Sequence, residues 1–157
     1  MIIRNIRKEN FGQFFSLEKE FAAENKRICK EKALRYDVFR KETLKEFMNR
    51  IIKKDCFFQV IEEDDKIQGY IYGYIKQLPK GYGTARIGYI NKIFVVKSKR
   101  GKRNASLMKD AFLRWLRMKK VDYCMIDVSV HNKKAIAAYG KWGFRPCEFK
   151  MLQKISR

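Results

Sequence analysis

The chain has 157 residues, with 37 Lys and Arg against 17 Asp and Glu, and a formal net charge of +20. Hydrophobic residues make up 46% and aromatics 14%, which excludes a disordered polyelectrolyte and favours a single domain over residues 1–157. No apolar run approaches the ~20 residues of a membrane span, and Met1-Ile2-Ile3-Arg4 does not start a signal-peptide core.

Met1 to Arg7 alternates and predicts a first strand. Asn10 to Asn25 spaces Phe11, Phe14, Phe15, Leu17, Phe21 and Ala22 as a helix does, and Lys41 to Lys53 repeats the pattern with Leu44, Phe47, Met48, Ile51 and Ile52. The polar stretch between them, Lys26 to Arg40, reads as a loop or short helix. Cys56 to Ile61 is rich in strand formers, and Glu62 to Lys66 makes a charged turn. Ile67 to Leu78 sets Ile71, Gly73 and Ile75 against Tyr70, Tyr72 and Tyr74, as a long strand would. Pro79 to Gly83 closes a hairpin onto a second long strand, Ala85 to Val96. A basic turn, Lys97 to Arg103, leads into a helix over Asn104–Lys119 with Leu107, Met108, Ala111, Phe112, Trp115 and Leu116 on its apolar face. Asp122 to Val130 reads as a strand, Asn132 to Trp142 as a short helix and Phe144 to Ile155 as a closing strand. The order βααβββαβαβ predicts an α/β (α+β layered) fold: a mixed, mostly antiparallel central sheet flanked by helices.

The four cysteines, Cys29, Cys56, Cys124 and Cys147, are scattered, and His131 is the single imidazole. That spacing offers no disulfide framework and no metal site, so a reduced, cytoplasmic protein is expected. Charge is unevenly spread. Residues 1–78 hold 17 basic and 13 acidic side chains, and residues 79–157 hold 20 and 4. The second half is therefore the expected anion-binding half, and its excess admits a nucleic acid or ribosomal partner. Within it, Ile93 to Ala105 combines a buried strand, a turn with five cations among seven residues and a helix start. Unpaired N–H groups and the positive end of a helix dipole suit a phosphate or pyrophosphate there. A solvated basic turn is the plainer alternative.

Arg100-Gly101-Lys102-Arg103-Asn104-Ala105 resembles the R/Q-x-x-G-x-G/A loop with which the GNAT N-acetyltransferase family holds the coenzyme A pyrophosphate. The stretch from Asn132 to Phe144, with Asn132, Ala135, Tyr139, Gly143 and Phe144 in place, resembles that family's N-x-x-A-x-x-x-Y-x-x-x-G-F element. The two motifs stand in the family's order, and the sequence of elements matches over nearly the whole chain. One departure is Arg103, which takes the position of the loop's middle glycine; its side chain either crowds the pyrophosphate or adds a charge-assisted bond to it.

The resemblance implies acetyl-CoA as cosubstrate and a primary amine, on a small molecule or peptide, as acceptor, with direct attack in a ternary complex. It implies that Tyr139 lies near the coenzyme sulfur and donates to the leaving thiolate, while Asn132 caps its helix and touches the cofactor arm. Backbone groups of Ile93, Phe94 and Val95 would carry the pantetheine arm and the oxyanion donor, beside a splay in the sheet. Some relatives carry a glutamate base in the fourth strand, where this chain has Asn91. Ribosomal-protein N-terminal acetyltransferases carry one five residues before the motif asparagine, where this chain has Asp127, the candidate base. Its cationic surroundings should depress its pKa. Tyr70, Tyr72 and Tyr74 read as packing residues that can also line a substrate groove, His131 as a surface residue and Cys124 as a small core residue. The other functional class is a domain of this fold that has lost catalysis and binds RNA, DNA or a ribosomal partner through its basic half.

Overall fold

Period-two alternation in the central strands buries both faces of one sheet, and that fixes where the helices must lie. The computed structural model describes residues 1–34 and 55–155. Among the described residues five strands, β1 (Ile2–Asn5), β2 (Cys56–Glu63), β3 (Lys66–Gln77), β4 (Arg86–Val95) and β5 (Cys124–Ile126), lie side by side in sequence order. β1 to β4 are antiparallel, and β5 joins β4 in parallel. That change of direction requires a crossover, which is made by helix α2 (Asn104–Met118). Helix α1 (Phe11–Ile28) follows β1, and helix α3 (Lys133–Lys141) follows β5.

The two faces have separate cores. On one, Met108, Phe112 and Leu116 of α2 pack on Phe57, Ile61, Ile71, Ile75, Ile90 and Val95. On the other, Phe14 and Leu17 of α1 pack on Phe58, Val60, Ile67, Tyr70, Tyr72 and Phe94. Gly88 lets α2 sit close, since a Cβ there would stand 2.3 Å from Leu116. The alternation of β3 matches its expected faces, with Ile71 and Ile75 towards α2 and Tyr70 and Tyr72 towards α1.

In β4 the alternation is broken. Gly73 of β3 pairs with Ile90 and Tyr72 with Lys92, so Asn91 is an extra residue without a partner, a β-bulge. The bulge turns Lys92 to the α1 face. There its Nζ lies 2.7 Å from a carboxylate oxygen of Glu18, which is fully buried and also accepts from the Tyr70 hydroxyl. Burial pulls the Lys92 ammonium below the usual lysine range, and Glu18 opposes that pull.

Three expectations change. The strand over Asp122–Val130 contracts to Cys124–Ile126, because β4 accompanies it only that far. The closing strand over Phe144–Ile155 does not form: Pro146 lacks a ladder donor, and Phe149 and Met151 are 85% and 96% exposed, so no apolar burial rewards pairing. α1 runs on to Ile28, its last turn carrying Lys26 and Arg27 against the negative end of the helix dipole. The helix expected over Lys41–Lys53 lies outside the described residues, as does part of the Lys26–Arg40 segment. Among the described residues, no helix is long and apolar enough to cross a membrane.

Removing one member of a buried ion pair strands the other. Lys92→Met is expected to destabilise the fold by about 3 kcal/mol in urea unfolding. The double variant Glu18→Gln/Lys92→Met should recover at least half of that loss; equal losses would mean that the charges are not coupled.

Candidate active site

β4 and β5 pair at Gly88–Cys124, Tyr89–Met125 and Ile90–Ile126, and then part. Beyond Ile90, β4 keeps β3 on one side and, among the described residues, has no strand on the other. The Val96 N–H donates to the Gln68 carbonyl at 2.9 Å. Antiparallel alternation therefore turns the backbone of Phe94 towards β3, and that of Ile93 and Val95 towards the vacated side. The Val95 carbonyl is met there by Arg100 Nε at 2.7 Å. Ile93 and Val95 thus offer a strand edge to a ligand, whereas Phe94, expected to share that role, points its ring into the α1 core.

The basic turn continues from this edge. Lys97–Lys99 forms a 3-10 turn, Gly101 has φ +77° and Arg103 has φ +62° directly before α2. Arg103 has the left-handed backbone that a glycine would adopt without strain, and its side chain is exposed. It therefore does not crowd the inside of the loop. The first turn of α2 carries no acidic residue and no side-chain cap, and the N–H groups of Asn104, Ala105 and Ser106 have no partner among the described residues. Asn104 is buried; its Nδ2 donates to the Lys99 carbonyl at 2.9 Å while its Oδ1 is buried without a partner. Open N–H groups at a helix start, with Lys97, Lys102 and Arg103 outside any ion pair among the described residues, suit a diphosphate.

Arg100 is engaged within the protein. Its guanidinium donates to Glu24 at 2.8 and 2.9 Å as well as to Val95, and it lies over the Phe94 ring. The side chain thereby ties the loop to β4 and α1 instead of standing free for an anion.

Asp127 follows directly on the last paired residue of β5. Its carboxylate accepts from the Tyr89 hydroxyl at 2.6 Å and from Lys150 Nζ at 3.0 Å. Partial burial pushes its pKa up, but the bonds from Tyr89 and Lys150 outweigh that, and the carboxyl titrates below the ordinary aspartate range. Tyr89 continues an aromatic row, with Tyr74 at 5.4 Å between ring centroids and Tyr72 beyond it at 6.1 Å. This row lies on the α1 face. His131 contacts Glu31, just past α1, at 3.0 Å, so it is half-buried and linked to the first half of the chain instead of a plain surface residue.

α3 begins at Asn132, whose Oδ1 accepts from the Ala135 N–H at 3.1 Å; capping is its observed role. Tyr139 packs against Trp142 and Phe144, with centroids 5.4 and 6.2 Å away. Burial raises its phenol to about 12, and its hydroxyl has no hydrogen bond among the described residues. Cys124 is likewise pushed up to about 12 by burial, which makes it a poor nucleophile.

Tyr89, Glu24 and Lys150 were not anticipated. Tyr89 is found only through the parallel register, which sets it diagonally across from Asp127. A groove of about 660 Å³, lined by Asn5, Cys56, Trp115 and Met118 among others, lies at the β1–β2 edge and contains none of the candidate residues.

The profile of the acetyltransferase (GNAT) family matches residues 16–144. Solved structures share the fold. A mutant of a Bacillus halodurans protein superimposes with a TM-score of 0.80 at 20% identity, covering 99% of this chain and 100% of that one. A protein described as a predicted acetyltransferase from Clostridium acetobutylicum, solved with acetyl-CoA, gives 0.78 at 19% identity, covering 98% and 95%. An aminoglycoside 6'-N-acetyltransferase from Acinetobacter haemolyticus gives 0.75 at 14% identity, covering 100% and 99%. No curated protein matches the sequence.

The loop's backbone can be tested apart from any ligand. A Cβ on Gly101 would meet nothing within 4 Å, so Gly101→Ala isolates the positive φ and should lower stability by about 1 kcal/mol in urea unfolding. Arg103→Gly relieves the same strain and should be neutral or stabilising by up to about 1 kcal/mol. A loss of stability in Arg103→Gly would show that the arginine side chain supports the loop.

Proposed function

The chain belongs to the GNAT acetyltransferase family, and from that premise we propose that it moves an acetyl group from acetyl-CoA to a primary amine by direct attack in a ternary complex. The observation that carries this reading is the parting of β4 and β5 after Ile90–Ile126, which leaves the Ile93 and Val95 edge and the open first turn of α2 facing one ligand. Bound acetyl-CoA supplies an activated thioester. The α2 N–H groups of Asn104 and Ala105, with Gly101, Lys102 and Arg103, would hold its pyrophosphate. The Ile93 and Val95 N–H groups would pair with its amide arm and steady the charge that develops on the carbonyl oxygen.

Two side chains would act on protons and charge. An amine of lysine type is protonated at pH 7, and freeing its lone pair costs roughly 4.6 kcal/mol. Asp127 remains ionised and would anchor the ammonium, whose proton leaves through water; a carboxyl held this low is a weak base for direct abstraction. Tyr139 would donate a hydrogen bond to the departing sulfur. Full transfer from a phenol at about 12 to a thiolate of pKa about 8.5 is uphill by on the order of 5 kcal/mol, so stabilisation in place is the role its chemistry favours. The acceptor would approach over Tyr74 and Tyr89, towards Asp127.

Calorimetric titration with acetyl-CoA and an assay of thiol release over a panel of amines and peptides test the activity. Absence of acetyl-CoA binding at millimolar concentration would overturn it. Tyr139→Phe should lower kcat about 10²-fold with little change in acetyl-CoA affinity, whereas equal losses would make Tyr139 a packing residue. Asp127→Asn should raise KM for the amine about tenfold and leave the alkaline rise in kcat in place; loss of that rise would restore Asp127 as the base.

A further inference from the structure

Residues 145–155 leave the body of the protein at Phe144, whose N–H donates to the Tyr139 carbonyl and whose ring packs beside that of Tyr139. Cys147, Phe149, Met151 and Ile155 are exposed. Among the described residues, the one hydrogen bond or ion pair from this segment to the rest of the chain is Lys150 Nζ to Asp127 at 3.0 Å. The segment thus starts beside the candidate donor to the leaving sulfur and returns a primary amine to the candidate anchor for the acceptor. Asp127 itself stands one residue past the point where β4 and β5 separate.

We propose that Lys150 is an intramolecular acceptor, and that the chain acetylates its own Lys150 Nζ. The inference rests on the acetyl-CoA reading given above. The Lys150 ammonium gives one proton to water beside Asp127. Its nitrogen lone pair forms the C–N bond to the thioester carbonyl carbon as the C–S bond breaks. The sulfur leaves with the electrons of the C–S bond and takes up a proton, the nitrogen gives its second proton to solvent, and acetyl-CoA and a lysine ammonium become acetyl-lysine, coenzyme A thiol and one free proton. The product amide is neutral. It no longer pairs with Asp127, so the segment detaches and the carboxylate becomes available to an amine from outside the chain.

Full-length protein is incubated with acetyl-CoA, and its peptides are followed by mass spectrometry. Lys150 should gain an acetyl group at least about tenfold faster than the exposed Lys154, at a fractional rate independent of protein concentration. Lys150→Arg should abolish the modification without redirecting it to Lys154. Three results would overturn the proposal. Equal rates at Lys150 and Lys154 would mean uncatalysed acetylation. A fractional rate proportional to protein concentration would mean transfer between copies. Acetyl-CoA binding with thiol release on other amines, but no acetyl on Lys150, would leave the enzymatic reading standing and remove this one. Absence of acetyl-CoA binding in calorimetry would remove both.

Discussion

A strand in the middle of a sheet has two hydrogen-bonding edges, and β4 uses both over three residues only. Everything proposed for the site depends on that limit. Had β5 followed β4 to Val95, the Ile93 and Val95 backbone groups would be satisfied within the sheet, with nothing to offer a ligand. The bulge at Asn91 stands next to the last shared pair, and bulges increase local twist, which carries the two strands apart. It also resets the alternation, so that Lys92 turns to the α1 face while Ile93 and Val95 stay with the α2 core. A cation placed there needs a counter-charge, and Glu18 with Tyr70 supplies it in full burial. The opening in the sheet and the buried pair beneath it are thus two consequences of one inserted residue.

The uneven charge of the two halves takes on structural meaning in this frame. Lys92 pairs with Glu18, Lys99 with Glu63, Arg100 with Glu24 and His131 with Glu31. In these four the cation or imidazole comes from the second half and the carboxylate from the first, whereas Arg4–Glu62 and Arg7–Glu9 lie within the first half and Lys109–Asp110 and Lys150–Asp127 within the second. Lys92 lies on β4, and Lys99 and Arg100 lie in the turn before α2, so these three pairs set where the loop stands more than how stable the protein is, given that all but the Lys92 pair are partly exposed. Of the cations in the turn itself, Lys97, Lys102 and Arg103 are in no ion pair among the described residues and stand beside the α2 N-terminus. A diphosphate requires no more.

Much of this was legible from residue order. The β3 faces, the hairpin at Pro79–Gly83, the α2 apolar stripe and the capping role of Asn132 all follow from local rules, because one strand or helix suffices to express them. The strand expected over Phe144–Ile155 has the right alternation, but a strand needs a partner edge, and period alone does not supply one. The surroundings of Arg100 are illegible for a related reason: motif position assigns a side chain to a ligand, whereas its contact with Glu24, 76 residues away, comes from the tertiary fold. Lys150 and Tyr89 carry no local signal at all. Their meeting at Asp127 arises from the parallel β4–β5 register and from the path of a segment without regular structure.

The two side chains nearest the proposed chemistry are displaced from neutrality in opposite directions. Tyr139 is raised by desolvation, and Asp127 is lowered by two donors. A general acid or base works best with a pKa near the working pH, and neither residue meets that condition. Both are well suited to another task. In the proposed mechanism Tyr139 would keep its proton and lend it, and Asp127 would keep its charge and attract the amine. Groups of this kind contribute by standing where charge will develop, so that little reorganisation accompanies the reaction. In that mechanism the rate would depend on how well the amine, the carbonyl carbon and the β4 edge are aligned. Under the proposed mechanism Asn91 need not be a base, because solvent would take the proton once the amine is held in place.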